Sequence, residues 1–469
     1  MVDWVKREVE GWGRYPVVTA EVARPESPGE VKAALTETRE ASQHLLAHGL
    51  GRSYGDTAVL EGGRVVVTRR LDRMLDFDPK TGWLVCEAGV SYEDLLRVFV
   101  PKGFFPPVTP GTKFVTMGGA IACDVHGKNH HVDGAISNHV EWIDLLKADG
   151  EVVRISRTSN PDLFGATVGG LGLTGIILAL KIKMTPIHSP WIELESVRVE
   201  DLDHFFEVSA ESAGFTHTVS WIDCVTRGKA MGRGIFMRGR HAGPGQLGKA
   251  GPVDALKEVL DPVLDVPLDA PGWLLNQATI KAFNEVYFRR HKKGMQAGLQ
   301  HYEPFFYPLD AVRNWNRIYG GRGFLQYQMV LPKEQDHRHL RKILEAITRS
   351  GFGSFLAVIK EFGPTDNGWL SFPTPGVTLA LDFPNHGRPL LELLDQLDLI
   401  TLDAGGRVYL GKDSRLSRDT FRRMYPQWER WKAVRDEVDP SGLFRSNMGE
   451  RLGLCDAPAT RSALVGGVA

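Results

Sequence analysis

The chain of 469 residues is 42% hydrophobic and 24% charged, as is ordinary for a soluble globular protein, and it is too long for one ordinary core. Two domains, or one domain with an insertion, are therefore expected, and the formal net charge of −1 gives no electrostatic basis for binding nucleic acid. The four cysteines are far apart, which argues against a disulfide framework or a zinc site.

The N-terminal residues MVDWVKREVEGWGRYP lack the apolar core of a signal peptide. No stretch approaches the roughly 20 apolar residues that are needed to cross a bilayer. We therefore predict a cytoplasmic protein, which could still contact the inner membrane face peripherally.

Short strand patterns alternate with helical patterns through residues 15–185. SPGEVKAALTETREA and SYEDLLRVFVPKG predict capped helices, whereas HLLAHG, GRVVVT and GWLVCEAG predict strands. From about residue 190, the strands GFLQYQMVLP, SFLAVIKEFG and GVTLALDFP alternate with helices such as DHRHLRKILEAITRSG. The pattern predicts an α+β protein with one domain over residues 1–190 and a second over 191–406. Residues 407–469 are too few for a separate core, so they should pack back onto one of the others.

Residues 240–296 combine AGPGQLGKAGP, the proline-broken VLDPVLDVPLDAPGWLLN and the basic FRRHKKG. This irregular pattern is typical of a long loop that covers the second domain. It also fits an apolar lid flanked by cations, suited to a lipid-bearing anionic substrate at a membrane surface.

Residues 170–175, GLGLTG, match the dinucleotide fingerprint G-x-G-x-x-G. That fingerprint requires a strand before it and a helix after it. Here Ile176, Leu178, Leu180 and Ile182 alternate with other residues, which predicts a strand after the glycines. We therefore interpret the match as coincidental.

Two other glycine-rich stretches are candidates for ligand binding. HGLGRSYGD, residues 48–56, follows a predicted strand, and its glycines would let backbone N–H groups approach a phosphate closely. PGTKFVTMGGAIACDVHGKNHH, residues 110–131, has too many small residues to build a core, which suggests that something large and flat lies against it. Its histidines lack a further ligand at helical metal-binding spacing, so no metal is predicted.

These stretches, with NHVEWIDLLKADGE and LFGATVGGLGLTGII, resemble the FAD domain of the vanillyl-alcohol-oxidase-type (PCMH-type) flavoproteins. More narrowly, the chain is similar to the family of oxidase subunits of decaprenylphosphoryl-β-D-ribose 2′-epimerase, also through WNRIYGGRGFLQYQMV, FGPTDNGWLSFPTPG and YLGKDSR. The similarity covers nearly the whole chain. It implies an FAD-binding domain over residues 1–190, an α/β substrate domain built on an antiparallel sheet, and a C-terminal segment that returns to the FAD domain.

The resemblance implies that FAD is held by two groups of residues. The pyrophosphate would lie on the first group, which is Gly49, Leu50, Gly51, Arg52, Ser53 and Tyr54. The isoalloxazine and ribityl chain would lie on the second group, which is Gly111, Thr116, Gly118, Gly119, Cys123, His126, Ile177 and Tyr409. Relatives that tether FAD covalently carry a histidine in a Gly-His-Ser triplet. This chain has Arg52 in that place, so we predict non-covalent FAD.

The resemblance also implies catalytic and substrate-binding residues. Lys412, His126 and Tyr54 form the implied catalytic set; the Lys412 ammonium could hydrogen-bond a sugar hydroxyl and stabilise negative charge on the reduced flavin. His126 and a water held by Lys412 remain alternatives for the general base. The substrate would contact Lys128, Trp221, Gln326, Gln328, Lys360 and Ala380. Lys360 interrupts an apolar strand and requires a partner, such as a substrate phosphate or the flavin.

Two positions depart from the family pattern. Ala380 stands where the family carries the cysteine to which nitroaromatic inhibitors attach, so this chain should escape covalent capture. Thr378 replaces an asparagine, which leaves details of the substrate open.

The implied function is FAD-dependent oxidation of the 2′-hydroxyl group of a polyprenylphosphoryl-β-D-ribose to the 2′-keto sugar. This would be the first half of an epimerisation to the arabinose form, a precursor of cell-wall arabinan, with a separate NAD-dependent keto-reductase as partner. Two alternatives stay open. One is an FAD-dependent oxidase or dehydrogenase of a soluble polyol, sugar or aldonolactone, and the other is a flavin-free binding or scaffold protein.

Overall fold

The computed structural model describes residues 2–246, 264–365 and 368–456. The described residues of the first part of the chain form a four-stranded sheet, a five-stranded sheet and a two-stranded pair, with helices between the strands. In chain order its elements are β1 Val5–Glu10, β2 Val17–Ala23, α1 Pro28–Glu40, β3 Leu45–His48, β4 Arg64–Val67, β5 Met74–Asp78, β6 Trp83–Glu87, α2 Tyr92–Phe99, β7 Phe104–Phe105, α3 Met117–Ala122, α4 His130–Asp133, β8 Val140–Leu146, β9 Val152–Ile155, α5 Pro161–Thr167, β10 Ile176–Lys183 and β11 Thr185–Pro186. The four-stranded sheet has the order β1-β2-β4-β3, the five-stranded sheet has the order β5-β6-β10-β8-β9, and β7 pairs with β11.

Local sequence explains the ends of several of these elements. The Ser27 side chain caps α1 by accepting a hydrogen bond from the Glu30 N–H, as an N-cap serine does. Ser91 and Asp94 form a capping box at the start of α2. The strand predicted after the GLGLTG glycines is confirmed as β10, the central strand of the five-stranded sheet.

The second part of the chain is built on one large antiparallel sheet. Its elements are β12 Trp191–Val199, α6 Leu202–Glu211, β13 His217–Ile222, β14 Gly234–His241, β15 Leu264–Asp265, α7 Gln277–Arg290, β16 Met295–His301, α8 Tyr302–Phe306, β17 Val312–Arg313, β18 Phe324–Pro332, α9 Asp336–Ser350, β19 Ala357–Phe362, β20 Gly376–Pro384 and α10 Arg388–Asp403. A last short strand, β21 Arg407–Val408, completes the eight-stranded order β16-β12-β14-β13-β19-β20-β18-β21.

The two faces of this large sheet differ in character. Alternate residues of a strand point to opposite faces, and on β18 the residues Leu325, Tyr327, Met329 and Leu331 belong to the core shared with α6, α9 and α10. Gln326 and Gln328 alternate with them and lie on the other face. That second face, which we call the pocket face, looks toward the first domain.

The C-terminal segment contacts both parts of the chain through α11 Arg418–Met424, α12 Trp428–Val438 and α13 Asn447–Leu452. β21 pairs with β18 in the large sheet. Further along, the Leu45 N–H donates to the Leu443 carbonyl at 2.8 Å, and the Trp431 indole N–H donates to the Ala166 carbonyl at 2.8 Å. These contacts join the end of the chain to the first domain.

The segment read as irregular contains more structure than its sequence suggested. α7 begins after Asn276, whose side chain accepts hydrogen bonds from the N–H groups of Ala278 and Thr279. Its buried face carries Ile280, Asn284 and Phe288, and a polar residue in the middle of that face obscured the helical pattern. Residues 247–263 of this segment lie outside the described residues. Within the described ranges, no helix has the length and apolar character needed to cross a membrane.

Candidate active site

One cavity of about 500 Å³ lies between the first domain and the pocket face of the large sheet. Every residue that the sequence pointed to for cofactor, substrate or catalysis lines this cavity. They are Gly49, Leu50, Gly51, Arg52, Ser53, Tyr54, Gly111, Thr116, Gly118, Gly119, Cys123, His126, Lys128, Ile177, Trp221, Gln326, Gln328, Lys360, Ala380, Tyr409 and Lys412. Residues from both domains and from the C-terminal segment therefore meet in one place.

The first glycine loop, residues 49–54, follows β3 directly. Gly51 has φ +64°, which favours glycine. A Cβ atom on Gly49 would lie 2.4 Å from the Thr116 hydroxyl oxygen. Within the described part of the chain, the backbone N–H groups of Leu50, Gly51, Arg52 and Ser53 donate to no protein acceptor. Backbone N–H groups left free on a glycine-rich loop are suited to bind an anion.

The second glycine loop, residues 110–131, packs against the first. Thr116 caps α3 by accepting a hydrogen bond from the Gly119 N–H, and a Cβ atom on Gly118 would lie 2.9 Å from that of Ala88. The Ser53 hydroxyl oxygen lies 3.9 Å from the Cys123 sulfur. The Tyr409 hydroxyl group donates to the Cys123 carbonyl at 3.0 Å. The first domain thus presents mostly backbone and small side chains to the cavity.

The GLGLTG stretch is the turn between α5 and β10. The Leu171 N–H donates to the Ala122 carbonyl at 2.8 Å, and Leu171, Gly172 and Gly175 line the cavity. A strand follows these glycines, so the interpretation that they do not form a Rossmann turn is confirmed.

Four neighbouring strands of the large sheet, β18, β20, β19 and β13, each place predicted site residues on the pocket face. Gln326 and Gln328 lie on β18, Ala380 pairs with Gln328 from β20, and Lys360 lies on β19. Trp221 follows on β13, where its indole N–H donates to the Phe355 carbonyl at 2.9 Å.

Lys412 and Tyr54 are stacked at one end of this face. The Lys412 Nζ lies 3.8 Å from the centroid of the Tyr54 ring, a cation–π arrangement. Burial lowers the pKa of Lys412 to about 8, while the negative charge of Asp382 opposes that shift. Burial also raises the pKa of Tyr54 well above its usual value, so its hydroxyl group stays protonated near neutral pH.

His126 is enclosed by the rings of Phe362, Phe372 and Tyr409. Burial lowers its pKa well below the usual value, so the imidazole is neutral at neutral pH. Its Nε2 lies 3.0 Å from the Gln328 amide nitrogen. Because that amide is a donor, the Nε2 lone pair accepts its hydrogen bond.

Two lysines place positive charge in the middle of the cavity. Burial lowers the pKa of Lys128 to about 7 and that of Lys360 to about 8, and the charge of Lys360 adds to the shift of Lys128. Lys128 donates to the Phe305 carbonyl. Among the described residues, Lys360 has no hydrogen-bond or ion-pair partner.

Several residues of this site were not predicted from the sequence, and four of them are polar or aromatic groups close to the glycine loops or the amides. Trp12, His48 and Asp310 also line the cavity, and Asp382 lies behind Gln326, which donates a hydrogen bond to it. Trp12 reaches the site through its N–H, which donates to the Ser53 carbonyl at 2.8 Å, a contact without a local sequence signal. Asp382 did carry a signal, because it is two residues from Ala380 and so shares its face.

In the described ranges, no group of three or more His, Cys, Asp or Glu side chains could hold a metal ion. The cavity therefore offers cations, amides and free backbone N–H groups to an anionic and polar ligand.

Comparison with known proteins identifies the family. A family described as FAD binding domain matches residues 19–156, and the D-arabinono-1,4-lactone oxidase family matches residues 324–452. Decaprenylphosphoryl-β-D-ribose oxidase of Mycolicibacterium smegmatis is 40% identical over 453 residues, which cover 96% of this chain and 98% of that protein. The chain belongs to the decaprenylphosphoryl-β-D-ribose oxidase family.

Membership of the decaprenylphosphoryl-β-D-ribose oxidase family makes the chain an FAD-dependent oxidoreductase with the two-domain, PCMH-type α+β fold, as the resemblance in its sequence implied. More distant relatives also match over most of their length. L-gulono-1,4-lactone dehydrogenase of Mycobacterium tuberculosis is 22% identical over 94% of this chain and 98% of that protein. L-gulonolactone oxidase of Bos taurus is 23% identical over 93% of this chain and 96% of that protein.

The cavity fits the FAD of this family. Free backbone N–H groups on the first glycine loop suit a pyrophosphate. Around Gly118, Gly119 and Cys123 the second loop leaves a wall without bulky side chains, as a flat ring system requires. Arg52 rests with its guanidinium 3.6 Å from the centroid of the Trp12 ring, and its buried Nε has no hydrogen-bond partner in the described protein. That orphaned donor faces a cavity suited to an anion.

Proposed function

We propose that this protein oxidises the 2′-hydroxyl group of a polyprenylphosphoryl-β-D-ribose to the 2′-keto sugar, using non-covalent FAD. The observation that carries the proposal is a gradient of polarity along the cavity. Gln326 and Gln328 stand on β18, Lys360 on β19, and the apolar Trp221 and Met237 on β13 and β14. With strands ~4.8 Å apart, this gradient extends over roughly 19 Å. A polar head with an anionic group and an apolar tail matches such a cavity.

The apolar end of the cavity continues to the surface along α7. The Tyr287 ring packs against the Trp221 ring at 4.7 Å, and the Phe283 ring against that of Phe355 at 5.6 Å. Phe283 lines the cavity and is 47% exposed. A polyprenyl chain could therefore pass from the cavity to the exterior beside α7 without crossing a polar wall.

FAD would lie along the glycine loops, with its pyrophosphate on Gly49–Tyr54 and its ring system against Gly118, Gly119 and Cys123. When bound, it supplies the hydride acceptor for oxidation of the alcohol. Arg52 occupies the place of the tethering histidine found in some relatives, and a guanidinium does not form that bond. Precipitation with acid should therefore release the yellow cofactor into the supernatant; colour retained in the precipitate would contradict the non-covalent assignment.

The protein's own residues would orient the sugar. The Lys412 ammonium donates to the reacting hydroxyl oxygen and stabilises the negative charge that develops there, while a water held by Lys412 accepts the proton that the hydroxyl group loses. The Gln328 amide, held by its hydrogen bonds to His126 Nε2 at 3.0 Å and to the Thr378 hydroxyl oxygen at 3.2 Å, keeps its carbonyl oxygen for the sugar. His126 acts in this proposal by fixing Gln328, since its Nε2 lone pair is already used.

Lys360 and Lys128 would bind the phosphate. Among the described residues, Lys360 brings a buried ammonium without a partner to the cavity, and Lys128 adds a second amine, whose pKa the charge of Lys360 lowers. A phosphate between sugar and lipid would lie between the amides of β18 and the apolar residues of β13. Lys360 lies between the glutamines and the tryptophan in the order of the strands, as the phosphate lies between the sugar and the lipid in the substrate.

We also propose peripheral contact with a membrane at α7 and the segment before it. Leu268, Trp273 and Val286 are exposed by 74%, 71% and 69% respectively, and the basic run FRRHKKG, residues 288–294, follows along the same stretch. Exposed apolar side chains beside cations suit the interface of an anionic bilayer. A lipid-linked substrate would be taken up from that interface.

A separate keto-reductase would complete the reaction. Oxidation removes the stereocentre at C2′, and inversion then requires a hydride delivered to the other face of the ketone. An NAD-dependent reductase that accepts the 2′-keto product is therefore the proposed partner.

A second candidate is oxidation of a soluble aldonolactone or polyol. It is favoured by the match of residues 324–452 to the D-arabinono-1,4-lactone oxidase family and by the gulonolactone relatives. The free ammonium of Lys360 would then have no phosphate to bind, which is why we place this function second. The flavin-free scaffold is not proposed, because the chain belongs to an FAD-binding family.

Anaerobic mixing of the holoenzyme with farnesylphosphoryl-β-D-ribofuranose tests the proposal. We expect rapid bleaching of the flavin absorbance with this compound and no bleaching with L-gulono-1,4-lactone or xylitol. Bleaching by the lactone or polyol alone would establish the second function instead. Sedimentation with anionic vesicles, compared between wild type and W273S, tests the membrane contact separately.

A further inference from the structure

Asp382 is a buried carboxylate directly behind the substrate amides. It lies on β20, two residues after Ala380 and opposite Gln326 in the strand register. Its Oδ1 accepts a hydrogen bond from the Gln326 amide, and its backbone N–H donates to the Ser354 hydroxyl oxygen at 3.2 Å. The side chain is fully buried. Asp382 therefore fixes which way the Gln326 amide points in the cavity.

The second oxygen of this carboxylate is incompletely satisfied. Oδ2 is buried and has no hydrogen bond of normal geometry in the described residues, although the nearby Tyr319 hydroxyl group lowers the pKa of this carboxyl group. Burying a carboxylate without a cation is costly. The cation that acts on Asp382 is Lys412.

The Lys412 ammonium also lacks a directly bonded partner of opposite charge among the described residues. Its Nζ lies over the Tyr54 ring and makes no ion pair or hydrogen bond with the described residues. Besides Asp382, the charged or titratable groups that face it include Tyr54, Cys123, His126, Lys360 and Arg52. Lys360 and Arg52 both disfavour its positive charge, and Asp382 is the foremost group that favours it.

We propose that Asp382 is a positioning residue of the reaction, which aims the Gln326 amide at the sugar and whose negative charge keeps Lys412 protonated at the reacting hydroxyl group. This inference rests on the proposed function for the role of Lys412. It assigns no proton transfer to Asp382, which does not line the cavity. Its effect is exerted through two residues that do.

The electrostatic part of this arrangement has a definite sign. Burial raises the pKa of Asp382 to about 7, which the hydrogen bond from Gln326 and the charge of Lys412 counteract. Burial lowers the pKa of Lys412 to about 8, which Asp382 counteracts. Removing the carboxylate would therefore lower the pKa of Lys412 further, and the ammonium would be lost at a lower pH.

The substitution D382N tests this proposal, because asparagine keeps an oxygen for the Gln326 amide and removes only the charge. We expect normal FAD content, a wild-type rate of flavin reduction near pH 6, and an alkaline limb moved down by about one pH unit. D382E should restore the limb toward its wild-type position. An unmoved limb in D382N, with only a lower melting temperature, would show a merely structural role and overturn the proposal.

D398N is the matched control. Asp398 is also buried, and burial raises its pKa to about 6, but it pairs with Arg415 at 2.6 Å and does not line the cavity. We expect D398N to lower the melting temperature and leave the alkaline limb in place. A shift as large as that of D382N would mean that any buried charge has this effect, and would contradict the proposal.

Two further measurements need no substrate, so they remain valid if the proposed function fails. Competitive labelling of lysine amines at pH 7 should modify Lys412 several-fold faster in D382N than in wild type, because more of the amine is neutral. Reciprocally, K412M should protonate Asp382 near pH 7 and add the carbonyl stretch of a carboxylic acid to the infrared difference spectrum. Equal labelling in D382N, or no such band in K412M, would each contradict the coupling. The K412M spectrum also serves if D382N does not fold.

Discussion

The two walls of the cavity are made in opposite ways. The wall from the first domain is built on glycine loops, of which the first leaves backbone N–H groups without acceptors among the described residues, whereas the opposite wall carries Lys360, two glutamines and a tryptophan on strands of the large sheet, with Lys412 from the segment that follows it. The first wall is distinguished by the lack of large side chains around its glycines, and the second by the polar, charged and aromatic side chains that it carries. Changes in the first should therefore act on cofactor retention, and changes in the second on the rate and selectivity of oxidation.

The largest expected effect is on the glycine wall. In G49V, the added side chain would begin 2.4 Å from the Thr116 hydroxyl oxygen and push the two glycine loops apart. Overpacking of this kind costs ~1–3 kcal/mol, which we expect to empty most of the protein of FAD. The ratio of flavin to protein absorbance measures this. G214V is the control, because a Cβ atom there meets no atom within 4 Å; stoichiometric FAD in G49V would show that the loop is not the constraint we describe.

On the sheet side, K412M should keep FAD and reduce the rate of flavin reduction by ~10²–10³, the loss typical of removing one donor to a developing oxyanion. Stopped-flow absorbance gives the rate, and the flavin-to-protein ratio gives the retention. K102M is matched, since Lys102 also lies over an aromatic ring, that of Phe99 at 5.4 Å, but outside the cavity. Equal rates for K412M and wild type would remove Lys412 from the chemistry.

K360Q should act on substrate affinity. A charge-assisted hydrogen bond is worth ~1.5–3 kcal/mol, so we expect kcat/KM for a phosphoryl ribose to fall by roughly tenfold or more. An uncharged alkyl ribofuranoside should be used equally by variant and wild type, and a parallel loss with both compounds would count against a phosphate site.

The same lysines predict a pH dependence. The charged form of lysine is the protonated one, and the pKa values of Lys128 and Lys360 are lowered to about 7 and about 8. In wild type, kcat/KM for the phosphorylated substrate should therefore decline as the pH rises through 7 to 8. K360Q should move the remaining decline to higher pH, because the charge of Lys360 lowers the pKa of both Lys128 and Lys412. A profile unchanged by K360Q would contradict the assignment.

The smallest effect on turnover is expected at Ala380. A380C adds one sulfur atom to a position that faces the cavity from β20, and we expect turnover within about twofold of wild type, since small volume changes are tolerated best. The variant should gain covalent capture by nitroaromatic inhibitors, seen as a mass increase of the intact protein. Cys123 also lines the cavity, but burial raises the pKa of its thiol, which disfavours the reactive thiolate. Covalent capture of wild type would show that the Cys123 thiol reacts despite its burial.

This contrast between the walls also explains what the sequence could predict. A glycine loop and the short strand before it lie in one contiguous stretch of sequence. The strand that ends at His48 and the loop after it could therefore be predicted from neighbouring residues alone. The period-two pattern of Ile176 to Ile182 was sufficient to predict β10 and to reject a Rossmann turn.

Contacts between distant segments could not be predicted in this way. Trp12 reaches the first glycine loop through a backbone hydrogen bond, and backbone groups carry no sequence identity. The sequence did not predict α7, because the polar Asn284 interrupts the apolar pattern of its buried face. The Asn284 amide donates to the Asp223 carboxylate at 2.9 Å, and this partner is 61 residues away in the chain. Because side chains alternate along β20, the sequence could place Asp382 on the same face as Ala380. The interaction of Asp382 with Lys412 could not be predicted, because β18, β20 and the segment that carries Lys412 come together only in the fold.

The stacked pair of Tyr54 and Lys412 is braced from behind by α13. Arg451 donates to the Asp56 carboxylate at 2.8 Å and to the Asp413 carboxylate at 3.0 Å, and these acids follow Tyr54 and Lys412 closely in the chain. One guanidinium near the C-terminus thus sets the spacing of two side chains that belong to different walls. Expressing the two domains without α13 would consequently remove the guanidinium that holds these two side chains at their spacing, and such a truncated protein should lack a working centre.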